Sequence, residues 1–373
     1  MKNMHHPRLR RSQGLSLIEL MVSITIGLIL MIAVMSAYLG SSNASKMAEA
    51  TGRMNEDAQS ALSILSQQIS MAGFNPKQPR YDVSTPRNSV YGYPINSSLT
   101  PSSTSTLYLG PLSYSVRGCD GTFSDITTAT SINALTCAAG DNTDPDSIAI
   151  TYEADIFNTV KTATTPFKAT DCLGNALVTI TNDPTVPVAN VTTTRASTGA
   201  VATTSPTLVT YTVADNRFYV KKPTSLSAPS LYCKGNGGAL GSTEQPLVEN
   251  IENLQFYWGL ATTPVPNPDN MTVAGYLDSA NAVETDARLI ALDPPTSPTP
   301  LGSPIANGTP TRWARVVAVK ICVVVRSEQP IVSDTVSAQY FKCDGTLDTT
   351  QTDLRLRRAY TTVVALRNRV QQN

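Results

Sequence analysis

Residues 15–39, LSLIELMVSITIGLILMIAVMSAYL, carry one charged side chain, Glu19. A run of about 25 residues this apolar is long enough to cross a hydrocarbon core of about 30 Å as a single helix. A secretory signal peptide has a shorter apolar core, about 7–15 residues, before its small-x-small cleavage site. Lys2, Arg8, Arg10 and Arg11 all precede the run. That asymmetry keeps the N-terminal end in the cytoplasm and sends the rest of the chain outward.

The acid inside this run needs a reason. A carboxylate in hydrocarbon costs several kcal/mol unless it snorkels or is paired, so an intramembrane acid marks a functional site by default. The plain alternative is a carboxylate at headgroup depth near the helix start, where the helix dipole favours it.

At Gly14-Leu15-Ser16-Leu17-Ile18-Glu19 the chain resembles the type IV prepilin signature, in which a basic leader ends in glycine and the fifth residue after it is glutamate. The resemblance implies cleavage between Gly14 and Leu15 by a prepilin peptidase and N-methylation of Leu15, although the family usually has phenylalanine there. It also implies a role for Glu19 in assembly, its carboxylate attracting the freed amino group of a neighbouring subunit's Leu15.

Beyond Leu39 no proline occurs before Pro76, and Met47, Ala50, Met54, Ala58, Ala61, Leu62, Leu65, Ile69 and Ala72 recur mostly three or four apart. This is the stripe of an amphipathic helix packed on one face. The two segments therefore read as one helix from Leu15 to Ala72, roughly 85 Å long at about 1.5 Å per residue. Gly73-Phe74-Asn75-Pro76 ends it.

After Pro76 the chain turns to serine, threonine, proline, tyrosine and valine with apolar residues alternating, which predicts strands. The best candidates are residues 147–154, 176–180, 207–213, 217–222, 247–260, 315–326 and 360–369. Ala214-Asp215-Asn216 reads as a hairpin turn between two of them. Residues 81–106 and 262–310 read as long surface loops.

Histidine occurs only at His5 and His6, so the body has none for a Ser-His-Asp or Cys-His arrangement or a histidine-ligated metal. Four of the 28 cationic residues lie in the basic head, leaving 24 against 28 acidic groups, a formal −4. That balance gives no general field for a phosphate backbone, and no nucleic acid partner is expected. The C-terminal arginines Arg355, Arg357, Arg358, Arg367 and Arg369 are a possible DNA contact, but one solvated strand face explains them more simply and no aromatic platform is interleaved with them. The Asp-rich stretches at residues 141–146 and 344–348 could suit calcium; neither fits an EF-hand loop, and turn chemistry accounts for both.

Six cysteines, Cys119, Cys137, Cys172, Cys233, Cys322 and Cys343, lie beyond the export segment and read as disulfides. Many pairings are open; the expectation is sequential neighbours, Cys119 with Cys137, Cys172 with Cys233 and Cys322 with Cys343.

Three further stretches, LSILSQQISMAGF at residues 62–74, LVENIENLQFYWGL at 247–260, and RWARVVAVKICVVVRS with LRLRRAYTTVVALRNR near the end, look like the PilW family of minor pilins. The resemblance implies an α+β, pilin-like fold: a leader (1–14), a transmembrane half-helix (15–40), an amphipathic half (41–74) and a β-rich periplasmic body (75–373). It implies a non-catalytic protein of the inner membrane, and later the pilus tip, that helps initiate type IV pilus assembly with other minor pilins and a large tip adhesin. No cofactor or metal is expected. The related alternatives are a J-type minor pseudopilin of type II secretion and an adhesin or ligand-binding module on a pilin anchor.

Overall fold

The structure, a computed structural model, describes residues 16–74, 115–129, 132, 135–138, 140, 144–181, 210–222, 228–238, 244–261, 272–285, 313 and 316–369. The chain divides into two units, Met1–Gly52 and Arg53–Asn373.

Helix α1 (Leu17–Met71) is continuous through both units. In the second unit the predicted stripe is buried: Met54, Ala58, Ala61, Leu65, Ile69 and Ala72 all join the core. Met47, at the front of that stripe, is exposed. The helix stops where the sequence predicts. Gly73 takes φ 73°, a left-handed conformation that costs a residue without Cβ little. Its N–H donates to Thr151 O at 2.9 Å, and Phe74 O accepts the Glu153 N–H at 2.9 Å, so the chain leaves the helix already paired to a strand.

That strand belongs to the first of the two larger antiparallel sheets among the described residues. β1 (Val116–Cys119), β2 (Ser147–Glu153), β4 (Thr210–Lys221), β5 (Ser230–Lys234) and β6 (Gln245–Glu249) lie in this order, and β3 (Thr179–Thr181) also pairs with β4. The second sheet has the order β12 (Arg357–Ala365), β9 (Val316–Arg326), β7 (Ile251–Ala261) and β8 (Val273–Leu277). A two-stranded pair, β10 (Tyr340–Phe341) and β11 (Leu347–Asp348), stands apart from both. A short helix, α2 (Ala280–Thr285), follows β8.

Alternate residues of the strands meet the α1 stripe in one core. Ile148, Ile150, Phe218 and Leu231 come from the first sheet, and Leu254, Phe256, Trp258, Val319, Ile321, Val323 and Val325 from the second. Trp258 also meets Trp313 edge-on at 4.8 Å. Gly118 in β1 makes room for the indole: a Cβ there would lie 2.1 Å from Trp258 Cζ2.

Several expectations are corrected. Residues 207–213 and 217–222 are not two strands around a turn; β4 runs straight through Ala214-Asp215-Asn216. The turn-type residues are tolerated because their polar atoms are matched inside the fold, Asp215 by Arg217 and Asn216 by Gln68, Tyr152 and the Cys172 N–H. The single strand expected over 247–260 is two, broken at Asn250, which has φ 64°; there the chain passes from one sheet to the other. The loop expected over 262–310 contains β8 and α2, and the strand expected to reach Arg369 ends at Ala365, before a 3-10 turn at Arg367–Arg369. The 81–106 loop lies outside the described residues.

All three disulfides form as expected: Cys119–Cys137, Cys172–Cys233 and Cys322–Cys343, with Cα separations of 5.5, 6.5 and 5.9 Å.

Candidate assembly site and the helix seat

Gly14 and Leu15, the expected cleavage pair, lie outside the described residues. The description begins one residue later, at the helix start. Glu19 occupies the third helical position, and its Oε2 accepts the Ser16 N–H at 3.2 Å. This is one half of a capping box, in which a carboxylate reaches back to an otherwise orphaned donor. The pattern Ser16-x-x-Glu19 was present in the sequence and identifies the bond; the reading based on membrane charge alone passed over it. Ser23 Oγ donates to Glu19 O at 2.7 Å, so the hydroxyl is also satisfied within the helix.

Residues 17–39 of the first unit offer a largely apolar surface. Leu17, Ile18, Leu20, Met21, Ile24, Leu28, Ile32, Met35 and Leu39 are all exposed, and α1 is long and apolar enough to cross a membrane near the N-terminus. In the second unit the same helix is seated by polar bonds as well as by its stripe. Tyr360 OH donates to Asn55 Oδ1 at 2.6 Å, Asn250 Nδ2 to Asp57 Oδ2 at 3.3 Å, and Asn368 Nδ2 to Ser70 O at 2.8 Å. Gln68 Oε1 accepts from Asn216 Nδ2 at 2.8 Å and from Tyr152 OH at 3.3 Å. Burial pushes the Tyr152 phenol up to about 12, partly offset by its Gln68 and Asn216 bonds, so it stays a neutral donor. Burial also raises the Asp57 carboxyl, with Asn250 pulling the other way. These seat residues were missed from sequence because Asn and Gln on a helix face or in a strand have no pattern of their own.

Of the other sequence candidates, residues 141–143 lie outside the described residues, and several of the rest serve the fold. Arg357 is buried, its Nε and Nη2 donating to Glu252 at 2.6 and 3.1 Å and its Nη1 and Nη2 to Asp353 at 2.7 and 2.8 Å. Arg355 donates to Ser327 O at 2.9 Å and to Glu328 O. The terminal arginines are therefore not one exposed basic strip. Asp344 Oδ1 accepts the Thr346 N–H at 2.8 Å and its hydroxyl at 2.7 Å, closing a turn. Among the described residues no group of three or more His, Cys, Asp or Glu is placed to hold a metal ion.

Two family models match the chain. The type IV pilus-assembly protein W family matches residues 217–368, which run from β4 past β12. The prokaryotic N-terminal methylation motif matches residues 9–35, from the end of the basic head through Glu19 and most of the apolar run. No curated protein and no solved structure matches the chain.

Proposed function

We propose that this chain, whose two family matches support a type IV pilus minor pilin of the PilW family, primes pilus assembly and remains in a complex at the filament tip. It spans the inner membrane once, with the body in the periplasm. Prepilin peptidase cuts between Gly14 and Leu15, and Leu15 is methylated. Glu19 then sets the register of the helix in the bundle, its carboxylate drawn to the amino group of a neighbouring subunit. Other minor pilins, and a large tip adhesin, are the partners. No step is catalytic.

One observation carries the reading: an acid on the fifth residue after Gly14 sits at the start of a bare apolar helix, and the same helix later becomes a wall of a disulfide-braced body. Such a chain can exchange lipid for the flanks of similar helices while its body makes separate contacts. The hydroxyls of Ser23, Thr25 and Ser36 on that surface bond back to their own helix, so transfer between the two places is set by packing and by the one charge.

The test is made in cells. Deleting the chain should abolish or sharply reduce surface pili without lowering the amount of major pilin. N-terminal sequencing of the cellular protein should begin at Leu15, and gold labelling of the body should mark filament ends. Intact piliation in the deletion strain would overturn the priming role, and label along the filament shafts would overturn the tip position.

A further inference from the structure

Residues 154–170, between β2 and the Thr170–Ala176 bridge, form a loop that the assembly reading leaves unused. Its own polar side chains brace it. Asp155 Oδ1 accepts the N–H groups of Phe157 and Asn158 at 2.7 and 2.8 Å, and Asn158 Oδ1 accepts the Asp155 N–H at 2.7 Å. Asn158 Nδ2 donates to Glu153 O at 2.9 Å, and Thr159 Oγ1 donates to Asp155 O at 2.7 Å while accepting the Thr170 N–H at 3.1 Å. The base is closed by the Thr162 N–H to Lys168 O at 3.0 Å and the Lys168 N–H to Thr162 Oγ1 at 3.0 Å. On this fixed turn Phe157 is 90% exposed and Val160 78%, with Phe167 partly exposed beneath Lys161 Nζ at 4.4 Å.

A large aromatic side chain carried on a hydrogen-bonded turn has its backbone already ordered before it meets anything. Docking it costs little conformational entropy, and residues of this kind act as anchors at the centre of protein interfaces. We propose that the 154–170 loop is a docking knob, with Phe157 as anchor and Val160 beside it, that seats in an apolar socket rimmed by carboxylates on a different protein chain.

The charges choose the rim. Lys161 and Lys168 are the loop's cations, and Asp155, its one acid, is turned onto its own backbone. A backbone fixed in one shape favours a shaped protein socket over fluid lipid. The loop follows the strand end paired with Phe74, just beyond the C-terminal end of α1. A socket on a second copy would be a heterologous contact, joining bodies head to tail into rings or open fibres. The inference stands on the body alone and does not depend on the pilus reading.

The test uses the full-length chain in its own cells, with a photo-crosslinking amino acid at position 160. The expected product is a discrete adduct with one other protein, whose crosslinked peptide combines apolar residues with Asp or Glu. Phe157→Ala should lower its yield about tenfold, as removal of an anchor does, and Lys161→Glu with Lys168→Glu should lower it too. Both changes lie on exposed side chains, so thermal unfolding should not move. An adduct between two copies, no adduct, or a yield indifferent to Phe157→Ala would overturn the proposal. So would lipid contact, read as quenching of a Phe157→Trp variant by brominated acyl chains in phosphatidylglycerol vesicles.

Discussion

Asp146 Oδ2 accepts the backbone N–H of Phe256 at 2.7 Å, and the Asp146 N–H donates to Leu254 O at 2.7 Å. The residue just before β2 is thereby tied to the middle of β7, joining the two sheets. Asp146 is 2% exposed and its Oδ1 has no partner. Burial is the main force on this carboxyl, with the negative charges of Asp120 and Asp144 adding to it and the Phe256 and Gly121 N–H groups opposing it; together they push it up to about 8.

A carboxyl whose pKa is higher folded than unfolded binds its proton more tightly in the native state. Its contribution to stability is complete below about pH 4 and is lost as pH rises through about 8. The melting temperature should therefore fall between pH 5.5 and pH 8.5. Asp146→Asn, which keeps an acceptor for Phe256 and carries no charge, should largely remove this fall and melt higher than the parent at pH 8.5. Parallel pH profiles for the two proteins would show that Asp146 is ionised at no cost.

Arg357 lies between Glu252 of β7 and Asp353 at the approach to β12, with a side-chain exposure of 2% against 29% and 38% for its partners. Removing one member of a fully buried ion pair costs about 3–5 kcal/mol. Here the abandoned carboxylates retain some water, so Arg357→Met should cost about 2 kcal/mol. Arg357→Lys should recover part of that, because an ammonium supplies charge without the two-pronged fork. Urea unfolding measures both; equal losses for Met and Lys would assign the stabilisation to geometry alone.

The elements legible in the sequence were those carried by long periodic patterns. The Met54 to Ala72 stripe, the Gly73 stop and the valine-rich run that becomes β9 all follow from side-chain spacing. The pattern failed where polar residues have tertiary partners. Asp215 and Asn216 are turn formers in isolation; Arg217 beside them, and Gln68, Tyr152 and the Cys172 N–H from distant parts of the sequence, make them strand residues. Asn250 is the reverse case: the apolar run on either side of it hid a left-handed residue that moves the chain between sheets. At the helix start, charge drew attention to Glu19, whereas its bond to Ser16 is a matter of spacing.

The Cys322–Cys343 bridge fastens the segment around β10 and β11 to the central strand β9, and Tyr257 OH supports it by donating to Cys343 O at 2.7 Å. Closing a loop of 21 residues in sequence separation restricts the unfolded chain enough for about 3 kcal/mol. Replacing both cysteines by serine should lower stability by about that amount. The loss should be local first. Amide exchange should quicken across residues 340–348 while β7 and β9, buried and paired along their length, remain slow. Uniform quickening of the second sheet would mean that the bridge holds the whole sheet together and not this hairpin.

Glu19 has two separable capacities, as a hydrogen-bond acceptor for its own helix and as a charge for a neighbour. Gln at this position retains a side-chain oxygen for the Ser16 N–H but carries no charge; Ala retains neither. If the peptidase cuts after Gly14 as proposed, both variants should still be cleaved there. If the charge guides entry into the filament, Glu19→Gln and Glu19→Ala should both accumulate as processed protein in the membrane and be missing from sheared pili. Normal incorporation of the Gln variant alone would assign Glu19 to capping, and the electrostatic account of assembly would fail.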